Sequence, residues 1–582
     1  MNPLDNPLSE NDQIASSSLA KQQQNSEKMK NKLFDKAPLE ENTLGVTSTQ
    51  DNNNSEKSKK DTSMKHKLFK FSSDFKKFIG FIGPGYVIAV GYLDPGNWAT
   101  DLSAGSRFGY SLLFVIFCSN LMAMLLQSLS VKLGVVTGMD LAQACRAYYS
   151  KYVNYFLYVL CELAIIACDL AEVIGSAIAL NLLIDIPLPW GVAITAVDVI
   201  IILFLYRDND MKSAHILESL VMLLVGAVGL CFVLELVYAK PNSVDVLKGY
   251  LPSAGIFTNR EELYIAVSIV GATVMPHCIY LHSHLVKARK FREESREIKC
   301  HKHIGFLENG DTLKDFFKRI TQSTIYFSVV DSIVALTFAL FVNSAILIVS
   351  AANFYYVSSQ PLVAGLYDAY NLLTSYLGRA ASTIFAIALL FAGQSSTLTA
   401  TIAGQIVMEG FTDMKLKPWV RRLVTRLIAI VPAMIIVIWK GASGLNDLLV
   451  GSQVALSIQL PFAVVPLVWF TSRKEFMRVD VRELIKRELQ GEEVMNDAEG
   501  IENQLGEKTI TNKKLSGPFY SDLLSQKSTP NSSKNDDISD DKRYIEFSNS
   551  YLLIITACIV SFTIISLDLY LVIDIIIGAV RG

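Results

Sequence analysis

Long apolar runs alternate with short polar connections from about residue 78 to residue 470, and one more apolar run follows near the end. Hydropathy predicts eleven spans, at about 78–103, 111–133, 154–182, 188–206, 214–238, 262–286, 321–350, 380–406, 422–439, 447–470 and 550–579. Several reach the roughly 20 residues an α-helix needs to cross a bilayer. The pattern therefore predicts an all-α polytopic membrane protein. Residues 1–64 are rich in Asn, Ser, Gln and Lys, and a polar, charged stretch fills 472–547. Neither can bury enough apolar surface to order itself. The expected organisation is a disordered cytosolic tail (1–64), a ten-helix core (65–471), a disordered cytosolic loop (472–547), and an eleventh helix with a short C-terminus (548–582).

Two spans are interrupted where a membrane helix should run on. The first contains Gly91-Tyr92-Leu93-Asp94-Pro95-Gly96-Asn97 and the sixth Gly271-Ala272-Thr273-Val274-Met275-Pro276-His277. Pro95 and Pro276 remove backbone donors, and the glycines weaken the helix. Unpaired backbone at membrane depth is tolerated only where it lines a cavity or is buried in protein. An intramembrane carboxylate such as Asp94 is a functional-site hypothesis by default, against the plainer reading of a kink that bonds a neighbouring helix. The recurrence 181 residues later favours function, because paired interrupted helices in matching halves point to a transporter's midplane site. Asp94 and Asn97 offer oxygen ligands, and Met275 offers a soft sulfur. Unwound backbone frees carbonyls at Gly91 and Ala272. A membrane methionine is usually packing. Directly before a helix break and opposite a carboxylate, it reads instead as a group that favours softer transition metals over magnesium and calcium.

Composition agrees with a membrane protein, at 51% hydrophobic and a mean hydropathy of +0.34. A net charge of −2 without a basic reading surface gives no sign of a nucleic-acid partner. The eight cysteines have neither metal-ligand nor disulfide spacing. No phosphate-binding G-x-x-x-x-G-K-[ST] is present, so the expectation is a carrier, not an enzyme, with no cofactor. The polar opening is no signal peptide. A basic run (Lys65, Lys67, Lys70, Lys76, Lys77) predicts a cytosolic N-terminus. Further positive residues fall in segments expected to be cytosolic: Lys132, Arg146, Lys151, Arg207, Lys212, Lys415, Lys417, Arg421 and Arg422. Ten more lie between Lys287 and Arg319, against none from 351 to 378.

Asp94-Pro95-Gly96-Asn97 and Met275-Pro276-His277 belong to a wider set of motifs. Gly393-Gln394-Ser395-Ser396-Thr397 leads through Ala403-Gly404-Gln405-Ile406-Val407-Met408-Glu409-Gly410-Phe411. Ser452-Gln453-Val454 precedes Gln459-Leu460-Pro461-Phe462-Ala463. Over roughly residues 75 to 475 the chain thereby resembles the Nramp family of proton-coupled divalent metal transporters. The resemblance implies a LeuT-type inverted repeat of five plus five helices and an eleventh, with helices one and six broken at mid-membrane. It implies Asp94, Asn97, Met275 and the Ala272 carbonyl as metal ligands, with Gln453 joining in some states. The cargo would be Mn²⁺ and Fe²⁺ first, then Co²⁺, Cd²⁺ and Zn²⁺, imported by proton symport through alternating access. The membrane would be the plasma membrane or an endosomal or vacuolar one. Long tails suggest a fungal-like eukaryotic member and make cytosolic regulators their expected partners. The Gly393–Phe411 run reads as close helix packing and a loop, without chemistry.

Protons need a route of their own. Glu162, Asp169 and Glu172 lie in the third span, with Asp169 about 20° and Glu172 about 80° around the helix from Glu162. Three acids on one apolar face mark a proton or ion pathway. The alternative is a set of structural bridges, with Arg426 as a candidate partner. The resemblance places Asp169 and Glu172 on a proton exit route, with Asp94 in both binding and release. His277, just past the break, is the candidate for proton coupling or gating. His282 faces elsewhere, and His284 returns weakly to the His277 face. Two rivals are a non-transporting receptor on the same scaffold and a carrier for magnesium or organic solutes. The first needs a folded cytosolic module, and the second should lack this ligand set.

Overall fold

The computed structural model describes residues 85, 88, 91–195, 223, 226–227, 229–302, 310–356, 365–414, 418–480 and 544–581. The tail 1–64, the basic run 65–77, most of the expected span 188–206 and about half of the expected span 214–238 lie outside the described residues. So do residues 481–543 of the polar connection.

Twelve helices build and surround the two breaks. They are α1 (Pro95–Phe108), α2 (Leu113–Thr137), α3 (Leu141–Tyr148), α4 (Lys151–Ile184), α5 (Arg260–Thr273), α6 (Pro276–Lys302), α7 (Gly310–Ser350), α8 (Leu366–Leu377), α9 (Arg379–Thr412), α10 (Pro418–Gln459), α11 (Pro461–Ser472) and α12 (Tyr551–Arg581). Among the described residues, eight stretches are long and apolar enough to cross a bilayer. They correspond to eight of the eleven runs read from hydropathy, and a shorter apolar helix, Gly229–Ala239, ends a ninth. α10 holds one of these stretches and begins a second that α11 completes, because it turns at Gly441, whose φ of 66° suits glycine.

Both breaks are present and built alike. Residues 92–94 leave the helix, and α1 restarts with Pro95 in its first turn and Asp94 as N-cap. α5 ends at Thr273, Val274 turns to φ −107° and ψ 76°, and α6 restarts at Pro276. Proline suits a first helical position, where the missing N–H has no intrahelical partner to lose. The broken helices sit between two groups. α7 packs on α1, and α2 on α6 and α7. On the other side α4, α9 and α10 form a tight block, and the second arm of α10 lies along α5. Trp98 of α1 stacks on Phe385 of α9, with ring centroids 5.4 Å apart.

Three expectations change. The Gly393–Phe411 run contains no loop: it lies within α9, which continues to Thr412, because small residues let that helix pack closely on α4. Asp568 and Asp574, which by sequence alone read as residues near the end of the eleventh span that snorkel or cap the helix, both have partners: Asp568 bonds Ser457, and Asp574 pairs with Arg260 at 2.8 Å. The two ends of 472–547 are ordered. There β1 (Arg478–Asp480) pairs antiparallel with β2 (Tyr544–Glu546), Val479 opposite Ile545. Met477, Val479, Ile545 and Phe547 close a small apolar core with Val136, Phe316, Phe317 and Ile320. That burial explains why two three-residue strands persist where composition predicted disorder.

Candidate metal site and its charged flank

The paired breaks leave the same backbone group free. In a helix the carbonyl of one residue takes the N–H four residues on. Four residues after Gly91 stands Pro95, and four after Ala272 stands Pro276, neither with an N–H to give. The two carbonyls turn to one side chain. Asn97 Nδ2 donates to the Ala272 carbonyl at 3.1 Å, to the Gly91 carbonyl at 3.4 Å and to Asp94 Oδ1 at 2.8 Å. The Asn97 backbone N–H also donates to Asp94 Oδ1, at 2.8 Å. Asp94 Oδ2 is buried with no hydrogen-bond partner among the described residues.

The remaining members of the predicted set lie around this point. The Met275 sulfur is 3.8 Å from where a Cβ on Gly91 would stand. The Gln453 amide lies directly over Gly96, and its Oε1 is buried and unpaired among the described residues. Asp94, Asn97, Met275 and Gln453 are each at most 1% exposed. The structure therefore brings Gly91, Asp94, Asn97, Ala272, Met275 and Gln453 together. No group of three or more His, Cys, Asp or Glu suited to a metal occurs among the described residues. The gathered donors are instead one carboxylate, two amides, carbonyls and a thioether.

The acids of α4 meet arginines of α10. Arg421 Nη2 is 2.5 Å from Glu162. Arg422 binds Asp169 through Nη1 and Glu172 through Nη2, the latter at 3.1 Å. Arg426 Nη1 lies 3.6 Å from Glu172, and Thr397 donates to Glu172 at 2.7 Å. Arg426 is thus a partner, as sequence suggested, but Arg422 is the central one. Arg421 and Arg422 also leave the tally of cytosolic positive charge, since both are buried against these acids. The flank touches the first break, because the ring of Pro95 lies on the backbone of Gly175, one turn beyond Glu172.

His277 is buried, and its Nδ1 has no partner among the described residues. His284 does not reach the site: its Nδ1 is 3.0 Å from Asp140, the N-cap of α3. His282 faces away from His277 yet belongs to a buried network. Its Nδ1 is 2.8 Å from Gln127 Oε1, its Nε2 is 3.4 Å from Ser332 Oγ, and Gln127 donates to Tyr92 Oη at 2.9 Å. Tyr92 is in the first break, so this network reaches the site. Sequence reading also passed over Asp101, buried in α1 with an unpaired Oδ2 among the described residues. The signal was there: it lies seven residues from Asp94, the spacing that put Glu162 and Asp169 on one face.

Comparison with known proteins accounts for this arrangement. Residues 85–487 match the family described as natural resistance-associated macrophage protein-like, Nramp. The chain belongs to the Nramp family. It is 53% identical over 407 residues to the divalent metal cation transporter MntH of Nostoc sp., covering 70% of this chain and 86% of the relative. It is 52% identical over 404 residues to the protein of that name from Listeria welshimeri, covering 69% and 84%. Among solved structures it resembles the Eremococcus coleocola manganese transporter crystallised with an aromatic bis-isothiourea compound. There the identity is 32% and the TM-score 0.58, over 86% of this chain and 96% of that one. This Nramp member is accordingly an integral, multi-pass membrane protein with the LeuT-type arrangement of that family.

Proposed function

We propose that this protein is a secondary transporter that imports divalent transition-metal ions, Mn²⁺ and Fe²⁺ foremost, into the cytosol with protons. The observation that carries the reading is the Asn97 amide, set among Asp94 Oδ1 and the Gly91 and Ala272 carbonyls. Acceptors converging from both breaks create negative potential at one buried point, where the amide hydrogens stand in for a cation. Turned over, Asn97 presents Oδ1 to the same point as a ligand. Asp94 supplies the anionic oxygen, Met275 the soft donor and Gln453 a further amide. Relatives named as divalent metal cation transporters, and a structural neighbour named as a manganese transporter, support the reading.

The cation enters from outside or from a lumen, and these donors replace part of its water. The half-helices then tilt, and the site opens to the cytosol. Protons travel the same way, through Asp94, His277 and the acids Glu162, Asp169 and Glu172. The arginine partners hold those carboxylates ready on a dry face, where unpaired charge is unfavourable. The membrane is the plasma membrane or an endosomal or vacuolar one, with the N-terminus cytosolic. Selectivity tests the site. Met275→Ala should keep part of the Mn²⁺ uptake and lose discrimination against Ca²⁺, read as competition in reconstituted vesicles. Unchanged discrimination would remove the sulfur from the site.

A further inference from the structure

α12 lies outside the ten-helix core, and most of its surface is exposed and apolar, including Leu552, Ile555, Ile559, Phe562 and Leu569. Its buried positions are Ala557, Ile564, Asp568 and Leu571. Spacings of seven, four and three put these on one stripe. A helix that only packed against its neighbours would place an apolar residue at each point of that stripe. An aspartate there is expensive.

Asp568 Oδ1 accepts a hydrogen bond from Ser457 Oγ at 2.7 Å. Ser457 stands one turn beyond Gln453 on the second arm of α10. On its other side that arm meets the second break: the Gln453 carbonyl and the Ser457 nitrogen lie so close to Gly271 that any side chain there would collide with them. Gly271 directly precedes Ala272. Ser457 is therefore held between α12 and the backbone that frees the Ala272 carbonyl. Two further contacts tie α12 to the first residue of the same broken helix and to the short helical turn Gly255–Thr258 just before it. Asp574 pairs with Arg260 at 2.8 Å, and Tyr570 donates to the Phe257 carbonyl at 3.2 Å.

We propose that α12 braces the metal site and that Asp568 is a positioning residue for metal binding. By holding Ser457 it fixes the register of the α10 arm that presents Gln453 to the first break and lies against Gly271, the neighbour of Ala272. The inference rests on reading Gln453 and Ala272 as ligands. A tether that merely keeps α12 attached would affect how much protein folds. A brace affects how tightly the folded protein takes its metal.

The test uses the full chain, purified and reconstituted, with Mn²⁺ uptake measured across concentration per amount of monodisperse protein. Asp568→Ala and Ser457→Ala should each raise KM for Mn²⁺ about tenfold, the lower end for loss of a group supporting a metal ligand. The double variant should be no worse than either single one, since both break one contact. Asp568→Asn keeps an oxygen for Ser457 and should stay within about twofold of wild type. A wild-type KM in folded Asp568→Ala protein overturns the brace, whatever the yield. Should Asp568→Ala fail to fold, Ser457→Ala decides, and a wild-type KM there overturns it equally. Asp94→Ala runs alongside. Uptake lost there but indifferent to Asp568 removes the brace alone, whereas uptake surviving Asp94→Ala removes the site reading and the brace with it.

Discussion

At the scale of single residues, the site rests on two prolines that each leave one carbonyl without its helical partner and free to turn to Asn97. Pro276→Ala would restore an N–H to the Ala272 carbonyl and draw the break toward continuous helix. We expect KM for Mn²⁺ to rise about tenfold, equivalent to about 1.4 kcal/mol. Uptake kinetics would check this, and an unchanged KM would mean that the Ala272 carbonyl does not serve the cation. Asp94, Asn97, Met275 and the two carbonyls were legible in the sequence because their chemistry is local. Each lies within a few residues of a proline in an apolar run. Gln453 was not legible that way and came only with the family resemblance. The network of Tyr92, Gln127, His282 and Ser332 was hidden as well. Its members come from the first break, α2, α6 and α7, and no periodicity within one helix tells which residues of two helices will meet. Asp101 was legible in principle, by the helical spacing already applied to α4.

At the scale of elements, the informative pair is α4 and α10. The period of the helix sufficed to put Glu162, Asp169 and Glu172 on a common face. It did not reveal that three arginines of α10 answer them, because that depends on the register of helices some 250 residues apart in sequence. Such pairs are weak evidence for stability, yet removing one member leaves an uncompensated charge at about 3–5 kcal/mol. Arg422→Ala strands Asp169 and leaves Glu172 with the longer contact to Arg426 and the bond from Thr397, so it should sharply reduce the yield of folded protein and the temperature at which it aggregates. Retention of full yield and thermal stability would show that the cluster is solvated. Glu172→Gln is the gentler probe, because it keeps the size and the hydrogen bond from Thr397. Metal-driven acidification should fall more than metal uptake does. Equal losses would assign Glu172 a structural role.

At the scale of the whole molecule, hydropathy was enough to find eight spans among the described residues, and the two interrupted runs pointed to a transporter's midplane site, while the fold itself came with the family resemblance. The β1–β2 ribbon was not legible, since three-residue strands in a charged connection carry no pattern of their own and depend on Phe316, Phe317 and Val136 from distant helices. The ribbon clamps the ends of the polar connection to the C-terminal end of α2 and the N-terminal part of α7. Replacing residues 485–540 with a short Gly/Ser linker should leave Mn²⁺ uptake within about twofold. Ile545→Asp should lower the folded yield, because it buries a charge in the ribbon's core. A large loss on excision with the ribbon intact would give the connection a part in transport. The docking of α12 was equally invisible, because Asp568 finds Ser457 only through helix packing. In the proposed function a metal ion and a proton cross together through the paired breaks. The most direct test is Mn²⁺ uptake into proteoliposomes loaded with a pH-sensitive dye, for wild type and Asp94→Ala. Wild type should take up Mn²⁺ and acidify the interior, with both signals abolished in the variant. Uptake without acidification, or uptake that survives loss of Asp94, would contradict the proposed function.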